Sequence, residues 1–112
     1  MNSFKQFVNE APEPTLEQVT QDAFGVFSRM GSTADKPLRN NKGMSFGVRD
    51  IGQWENPPDA RDEEDYDWKQ PTPATMKMVK EKLDVLRKAY PKFQLVVGVG
   101  EKNWLEFHVE KK

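Results

Sequence analysis

The chain has 112 residues, a length that fits one domain with a single hydrophobic core. Charged residues make up 31% and hydrophobic residues only 36%, so we expect irregular segments, but an aromatic content of 11% argues against a disordered protein. The absence of cysteine excludes disulfides, thiolate catalysis and cysteine-ligated metals. No apolar run approaches the ~20 residues that span a bilayer, and the first residues lack the apolar core of a secretory signal, so we predict a cytoplasmic protein without membrane contact.

The net charge of −1 conceals two opposed segments. Residues 59–68 carry six acidic side chains and one arginine, whereas residues 69–112 carry ten basic and five acidic side chains. The basic third could attract a polyanion, although the neighbouring acidic stretch would repel it. Nucleic-acid binding by this third, with bases stacked on Trp54, Trp68 and Trp104, is therefore an alternative function hypothesis.

The first eleven residues form a separate unit. Phe4 and Phe7 lie on one side of a short amphipathic helix over residues 2–9, and Pro12 and Pro14 then interrupt the chain. Residues 1–11 are interpreted as a terminal helix laid on the core, a docking peptide for a partner, or a segment removed by processing.

A helix is predicted over residues 15–30. Thr15 and Gln18 have the spacing of a capping box, and Gly31 is expected to end the helix in a left-handed conformation. The predicted apolar face consists of Leu16, Val19, Ala23, Val26, Phe27 and Met30.

Residues 31–43 are rich in polar residues, proline and glycine, which predicts a mobile loop. Alternation of Met44, Phe46 and Val48 with small or polar residues then predicts a short strand. The alternation fails at Asp50, which indicates a strand end or a bulge.

An irregular acidic loop is predicted over residues 55–72. Clustered carboxylates can bind calcium, but the loop lacks the spacing and the glycine of a calcium-binding turn. The remaining interpretations are a solvated loop or a docking strip for a basic partner, with Tyr66 and Trp68 as aromatic anchors.

A second helix is predicted to begin with Thr72 as its N-cap and Pro73 at its first position, and Pro91 helps to end it. Its apolar face has spacings of three and four residues and consists of Met76, Val79, Leu83, Leu86 and Tyr90.

Two alternating runs after this helix predict a β-hairpin. Only a three-residue loop, 101–103, collects the strong apolar side chains on one face, with Asn103 in the left-handed position of a type I turn plus bulge. The predicted pairs are Val99 with Leu105, Val97 with Phe107 and Leu95 with Val109.

Two side chains of the hairpin, His108 and Trp104, are candidates for chemistry or binding. His108 is the only histidine, lies on the polar face beside Glu106 and Glu110, and is interpreted as a surface imidazole; general acid–base use would need a cleft. Trp104 either lies over the bare backbone of Gly98 and Gly100 or contacts a partner. No cofactor or metal is predicted.

The segment 3–11 reads Ser-Phe-Lys-Gln-Phe-Val-Asn-Glu-Ala. It resembles the N-termini of small proteins of T4-like tailed phages, especially marine cyanophages. Some precursors in those phages are cut by a prohead protease after a glutamate that follows an aliphatic residue two positions earlier. Val8 and Glu10, before Ala11, look like a relaxed form of that site. The resemblance implies a phage-related protein.

The sequence therefore predicts an α+β fold in which a small antiparallel sheet, made of the C-terminal hairpin and a third strand, is packed by helices. Residues 12–112 would form one domain. We expect a non-enzymatic accessory or structural protein of a phage-related system that acts by contact with a protein partner or by self-association. The predicted partner-binding residues are Phe4, Phe7, Tyr66, Trp68 and Trp104.

Overall fold

The capping residues of the two helices and the alternation of the strands recur in the computed structural model, which describes residues 13–56 and 69–112. The α+β prediction is confirmed: two helices pack on an antiparallel sheet of four strands, and two further strands form a short separate ladder. In chain order the elements are α1 (Leu16–Phe27), β1 (Thr33–Arg39), β2 (Gly43–Arg49), β3 (Trp54–Glu55), β4 (Gln70–Pro71), α2 (Pro73–Ala89), β5 (Phe93–Val99) and β6 (Trp104–Lys111).

Helix α1 begins with the predicted capping box. The Thr15 hydroxyl accepts from the Gln18 N–H at 3.2 Å, and the Gln18 side chain accepts from the Thr15 N–H at 2.8 Å. The helix ends at Phe27, three residues before the predicted end. The prediction for Gly31 is wrong, because its φ is not positive; a Cβ there would lie 2.3 Å from the Arg49 carbonyl oxygen, so close packing explains this glycine.

The prediction of a loop over residues 31–43 is also wrong. Strand β1 occupies most of that segment and pairs with β2, with a register shift between Asp35 and Leu38. Lys36 and Pro37 made this segment resemble a loop. On an edge strand both are tolerated, because an outward-facing backbone group has no neighbouring strand to pair with, so the missing N–H of proline breaks no hydrogen bond of the sheet.

The sheet has the strand order β1-β2-β6-β5, and every neighbouring pair is antiparallel. The predicted hairpin register is confirmed, with Leu95, Val97 and Val99 of β5 opposite Val109, Phe107 and Leu105 of β6. Strand β2 pairs with the other side of β6, so that Phe46 lies directly opposite Phe107.

The hairpin turn differs in type from the prediction. Asn103 is left-handed with a φ of 67°, as expected, but Lys102 is left-handed too, with a φ of 55°. The Trp104 N–H donates to the Glu101 carbonyl at 3.1 Å, which closes a turn with two left-handed central residues, the pattern of a type I′ turn. This turn matches the right-handed twist of the two strands better than a type I turn does.

Both helices cover the same face of the sheet, called here the helix side. The ring of Phe27 in α1 stacks on Phe107 with a centroid distance of 4.3 Å, and Phe107 stacks on Phe46 at 5.0 Å. Helix α2 packs on β5 through Val79, Leu83 and Leu86, all buried as predicted. Two predicted core residues lie at the border instead, because Val26 is 36% exposed and Val99 is 43% exposed.

A hydrogen-bonded clamp joins the two ends of the segment that was predicted to be an acidic loop. Trp54 and Glu55 of β3 pair with Pro71 and Gln70 of β4. The buried Thr75 hydroxyl donates to the Gln53 carbonyl and accepts from the Gln53 N–H, both at 2.9 Å. The acidic cluster of residues 59–67 lies outside the described residues.

Among residues 13–56 and 69–112, no helix combines the length and apolar character that crossing a membrane requires.

Candidate functional site

The candidate site lies on the face of the sheet that is turned away from α1 and α2, called here the open face. Strict alternation along β2 and β6 sends Phe46, Val48, Leu105 and Phe107 to the helix side and their chain neighbours to the open face. The central part of the open face is formed by Leu38, Ser45, Gly47, Val96, Gly98, Trp104, Glu106 and His108.

A shallow groove of about 760 Å³ crosses this face. Ser45 and Gly47 form its floor, because the small side chains of β2 leave the sheet backbone accessible. Leu38 stands at the β1 side with 70% of its surface exposed, and Trp104 stands at the β6 side, half-buried. The groove is therefore a strip of small residues between two large apolar side chains.

The position of Trp104 is set by a glycine on the neighbouring strand. A Cβ added to Gly47 would lie 3.1 Å from Cε3 of the Trp104 ring, so the indole lies over the bare backbone of β2. The prediction that the indole covers Gly98 and Gly100 is wrong: nothing lies within 4 Å of a Cβ placed on Gly98, and the Trp104 atoms nearest to one placed on Gly100 are its carbonyl oxygen and Cβ rather than its ring. Which glycine the indole covers depends on the pairing register between β2 and β6. The sequence pattern of the hairpin carries no information about that register.

The indole N–H of Trp104 forms no hydrogen bond with any described part of the chain, whereas that of Trp54 donates to the Ile51 carbonyl at 2.9 Å. Trp54 is half-buried against the core, so its role is structural. Trp104 thus combines an apolar surface with an indole donor that has no acceptor among residues 13–56 and 69–112.

Carboxylates slightly outnumber ammonium groups along the groove. Its lining includes Asp35, Glu101 and Glu106 against Lys36 and Lys102. His108 lies opposite Ser45, and its Nε2 is 4.0 Å from an oxygen of Glu106, too long for a hydrogen bond.

This grouping of Ser45, His108 and Glu106 does not form an activated nucleophile. A serine nucleophile needs a hydrogen bond to the imidazole, which in turn needs an orienting hydrogen bond to a carboxylate. Neither bond is present among the described residues, and the same residues contain no group of three acidic or histidine side chains arranged around a metal position.

A second polar cluster lies at one end of β2 and fixes the hairpin turn. Asp50, with a φ of 61°, accepts hydrogen bonds from the Ser32 hydroxyl at 2.7 Å and from the Asn103 side-chain amide at 3.0 Å. These two donors lower the pKa of the Asp50 carboxyl, Ser32 having the larger effect. The cluster positions the loop that borders the groove next to Trp104.

Of the predicted partner-binding residues, only Trp104 can be located. Phe4, Phe7, Tyr66 and Trp68 lie outside the described residues. Sequence reasoning missed Leu38, because β1 was predicted to be a loop, and Ser45 and Gly47, although the alternation of β2 already placed them opposite the apolar residues.

No family model, no curated protein and no solved structure matches the chain significantly.

Proposed function

We propose that this protein is a non-enzymatic accessory or structural protein that binds a protein partner through the open face. The observation that carries the proposal is the pairing of a half-buried Trp104 with the 70% exposed Leu38 across a floor of glycine and serine. Tryptophan is enriched at binding hot spots, and clustered apolar groups with a polar surround are typical of interaction surfaces. The resemblance at residues 3–11 supports a phage-related setting.

The chemistry of the groove favours a partner segment that combines an apolar anchor with basic side chains. The apolar anchor would fill the space between Leu38 and Trp104, while the carboxylates of Asp35 and Glu106 would attract basic groups. Backbone at Ser45 and Gly47 is close to the surface, so an extended or flat segment fits better than a bulky one.

The nucleic-acid alternative receives less support from the same geometry. Stacking of bases requires aromatic rings beside a basic groove. The lysines of α2 lie on the helix side of the sheet, whereas Trp104 lies on the open face next to Glu106. The basic groups of α2 are thus separated from Trp104 by the sheet, and the two lysines that share the groove with Trp104, Lys36 and Lys102, are outnumbered by three carboxylates.

A selection from a random-peptide library tests the proposal. The full chain is immobilised, and enriched peptides are measured against the parent chain, Leu38→Ser, Trp104→Ala and the control Val85→Ser, which changes a 68% exposed residue of α2 on the other side of the sheet. We expect apolar and basic peptides whose binding is lost with the first two variants and kept with the third.

Peptides that bind all four proteins equally would overturn the assignment of the open face. A single-stranded oligonucleotide is titrated in parallel at two salt concentrations. Tight binding with a steep salt dependence, lost on removal of basic side chains from α2, would replace protein recognition by the nucleic-acid alternative.

A further inference from the structure

The two edges of the four-stranded sheet are protected very differently. The β1 edge carries Lys36 and Pro37 at a register shift, and both features hinder the addition of another strand. The β5 edge reads Phe-Gln-Leu-Val-Val-Gly-Val, seven residues without charge, proline or register shift. An edge of this kind is suited to pairing with another strand.

The backbone groups that β5 presents outward can be identified from its hydrogen bonds. The Gly100 N–H donates to Trp104, and the Lys92 carbonyl accepts from Lys112, at 2.8 and 2.9 Å. Since alternate residues of an antiparallel strand bond to the same neighbour, the even-numbered residues of β5 bond to β6 and the odd-numbered residues point outward.

Two outward groups are already occupied. The Phe93 N–H donates to the Tyr90 carbonyl at 3.0 Å, and the Leu95 carbonyl accepts from Nε and an Nη of Arg87 at 3.0 and 2.6 Å. Within residues 13–56 and 69–112, no partner is present for the N–H groups of Leu95, Val97 and Val99 or for the carbonyls of Val97 and Val99.

We propose that β5 pairs antiparallel with β5 of a second copy of this chain, around a twofold axis at Val97. In this register each Val97 exchanges two hydrogen bonds with Val97 of the second copy. Each Leu95 N–H also donates to a Val99 carbonyl. The four bonds use only the unoccupied groups and leave Arg87 in place.

The side-chain contacts that this twofold axis would create are also favourable. On the helix side Leu95 lies beside Val99 of the second copy, and on the open face Val96 lies beside Gly98, so apolar or small residues meet on both faces. Self-complementarity of this kind is what a twofold interface requires, and it selects a second copy over an unrelated strand.

Dimerisation through this edge would extend one sheet across both chains and place both open faces on the same side. The inference uses backbone groups at β5 rather than the groove, so it is independent of the peptide-binding proposal. A single strand pair gives a small interface, and we therefore expect a weak, concentration-dependent dimer.

Sedimentation equilibrium of the full chain over a concentration series measures the association. Val99→Lys places a charge within the edge, and Val85→Lys is a matched control, because Val85 is 68% exposed on the solvent side of α2. The parent chain and Val85→Lys should dimerise with equal constants, while Val99→Lys should weaken association about tenfold or more.

Amide hydrogen exchange on the parent chain gives a second readout that does not depend on any variant folding. The amides of Val96 and Gly98 should be protected at all concentrations, whereas those of Leu95 and Val97 should gain protection only as concentration rises. A monomer with fast-exchanging outward amides at every concentration would overturn the inference. Outward amides that are protected at every concentration would also overturn it, since another segment of the chain would then occupy the edge. A dimer that Val99→Lys leaves intact would overturn it as well.

Discussion

The two faces of the four-stranded sheet use the same strands for different purposes. On the helix side Phe46 is 4% exposed and Phe107 2%, with their rings stacked under α1. On the open face their neighbours Gly47 and His108 border a groove of about 760 Å³. A period of two residues therefore separates the side chains that stabilise the fold from those available to a partner.

This difference predicts how substitutions should divide. Burial of apolar surface supplies most of the stability, so the helix side should be sensitive to any loss of volume. On the open face, side chains contact mainly solvent or one neighbour, and their replacement should affect binding more than folding. Four predictions, from the largest expected effect to the smallest, concern the two faces and the hydrogen-bonded clusters at Gln53 and Asp50 beside them.

Phe107→Ala should lower the free energy of unfolding by about 3–5 kcal/mol, because it removes a fully buried ring from a stack of four rings and leaves a cavity. Urea denaturation measures the change. The adjacent residue provides the control: His108→Ala, on the open face, should change stability by less than about 0.5 kcal/mol. Equal losses of stability for Phe107→Ala and His108→Ala would contradict the claim that the helix side supplies most of the stability.

Thr75→Val should destabilise the protein by about 1–2 kcal/mol, since the backbone N–H of Gln53 would lose its acceptor and the Gln53 carbonyl would keep only the hydrogen bond from the Thr72 N–H. Thr20→Val is the control. Thr20 is equally buried, but its hydroxyl bonds the Leu16 carbonyl within the same helix, where a backbone N–H also donates to that carbonyl. A larger loss for Thr20→Val would show that the clamp at Gln53 contributes little.

Gly47→Ala should shift the NMR signal of the Trp104 indole, because the new methyl group would lie 3.1 Å from the ring and the ring must move. The expected change in stability is below about 1 kcal/mol. Gly98→Ala, on the next-but-one strand of the same face, has open space and should leave that signal in place. An unmoved indole in Gly47→Ala would contradict the placement of Trp104 over β2.

Asp50→Asn should have the smallest effect, and the effect should depend on pH. Hydrogen bonds from Ser32 and Asn103 hold the pKa of Asp50 below its ordinary value of 3.8, so the folded state favours the carboxylate. The resulting stability is present above the pKa of the unfolded chain and is lost as pH falls through the lower pKa of the folded chain.

The urea midpoints of the parent chain and Asp50→Asn should therefore differ near neutral pH and converge below about pH 4. The carboxylate is 40% exposed, so the difference should stay at a few tenths of a kcal/mol. Asparagine tolerates the left-handed backbone of this position, which keeps the comparison free of backbone strain. Midpoints that diverge as pH falls would contradict the cause assigned to the pKa.

The elements with strong periodicity could be predicted from the sequence. The two helices, the register of the hairpin and the capping box at Thr15 follow from local rules, and all are present. Strand β1 could not be predicted, because Lys36 and Pro37, which suit an edge position, are also typical of loops. The exposed position of Leu38 on the open face could not be predicted for the same reason.

Trp104 shows a second limit of local reasoning. The hairpin alone pairs Trp104 with Gly100, so glycines of β5 are the nearest candidates for the indole to cover. The position of β2 on the other side of β6 depends on packing under α1, through the contact of Phe27 and Phe46 with Phe107. That long-range arrangement, and with it the floor of the groove, is set by tertiary structure.

The division between the faces is tested most directly by measuring Trp104→Ala for stability and for affinity toward a selected peptide in the same buffer. We predict that the free energy of unfolding falls by about 1 kcal/mol, while the dissociation constant rises about 30-fold or more, as for a hot-spot residue. A loss of stability of about 3–5 kcal/mol with unchanged affinity would instead make Trp104 a core residue and contradict the assignment of the open face.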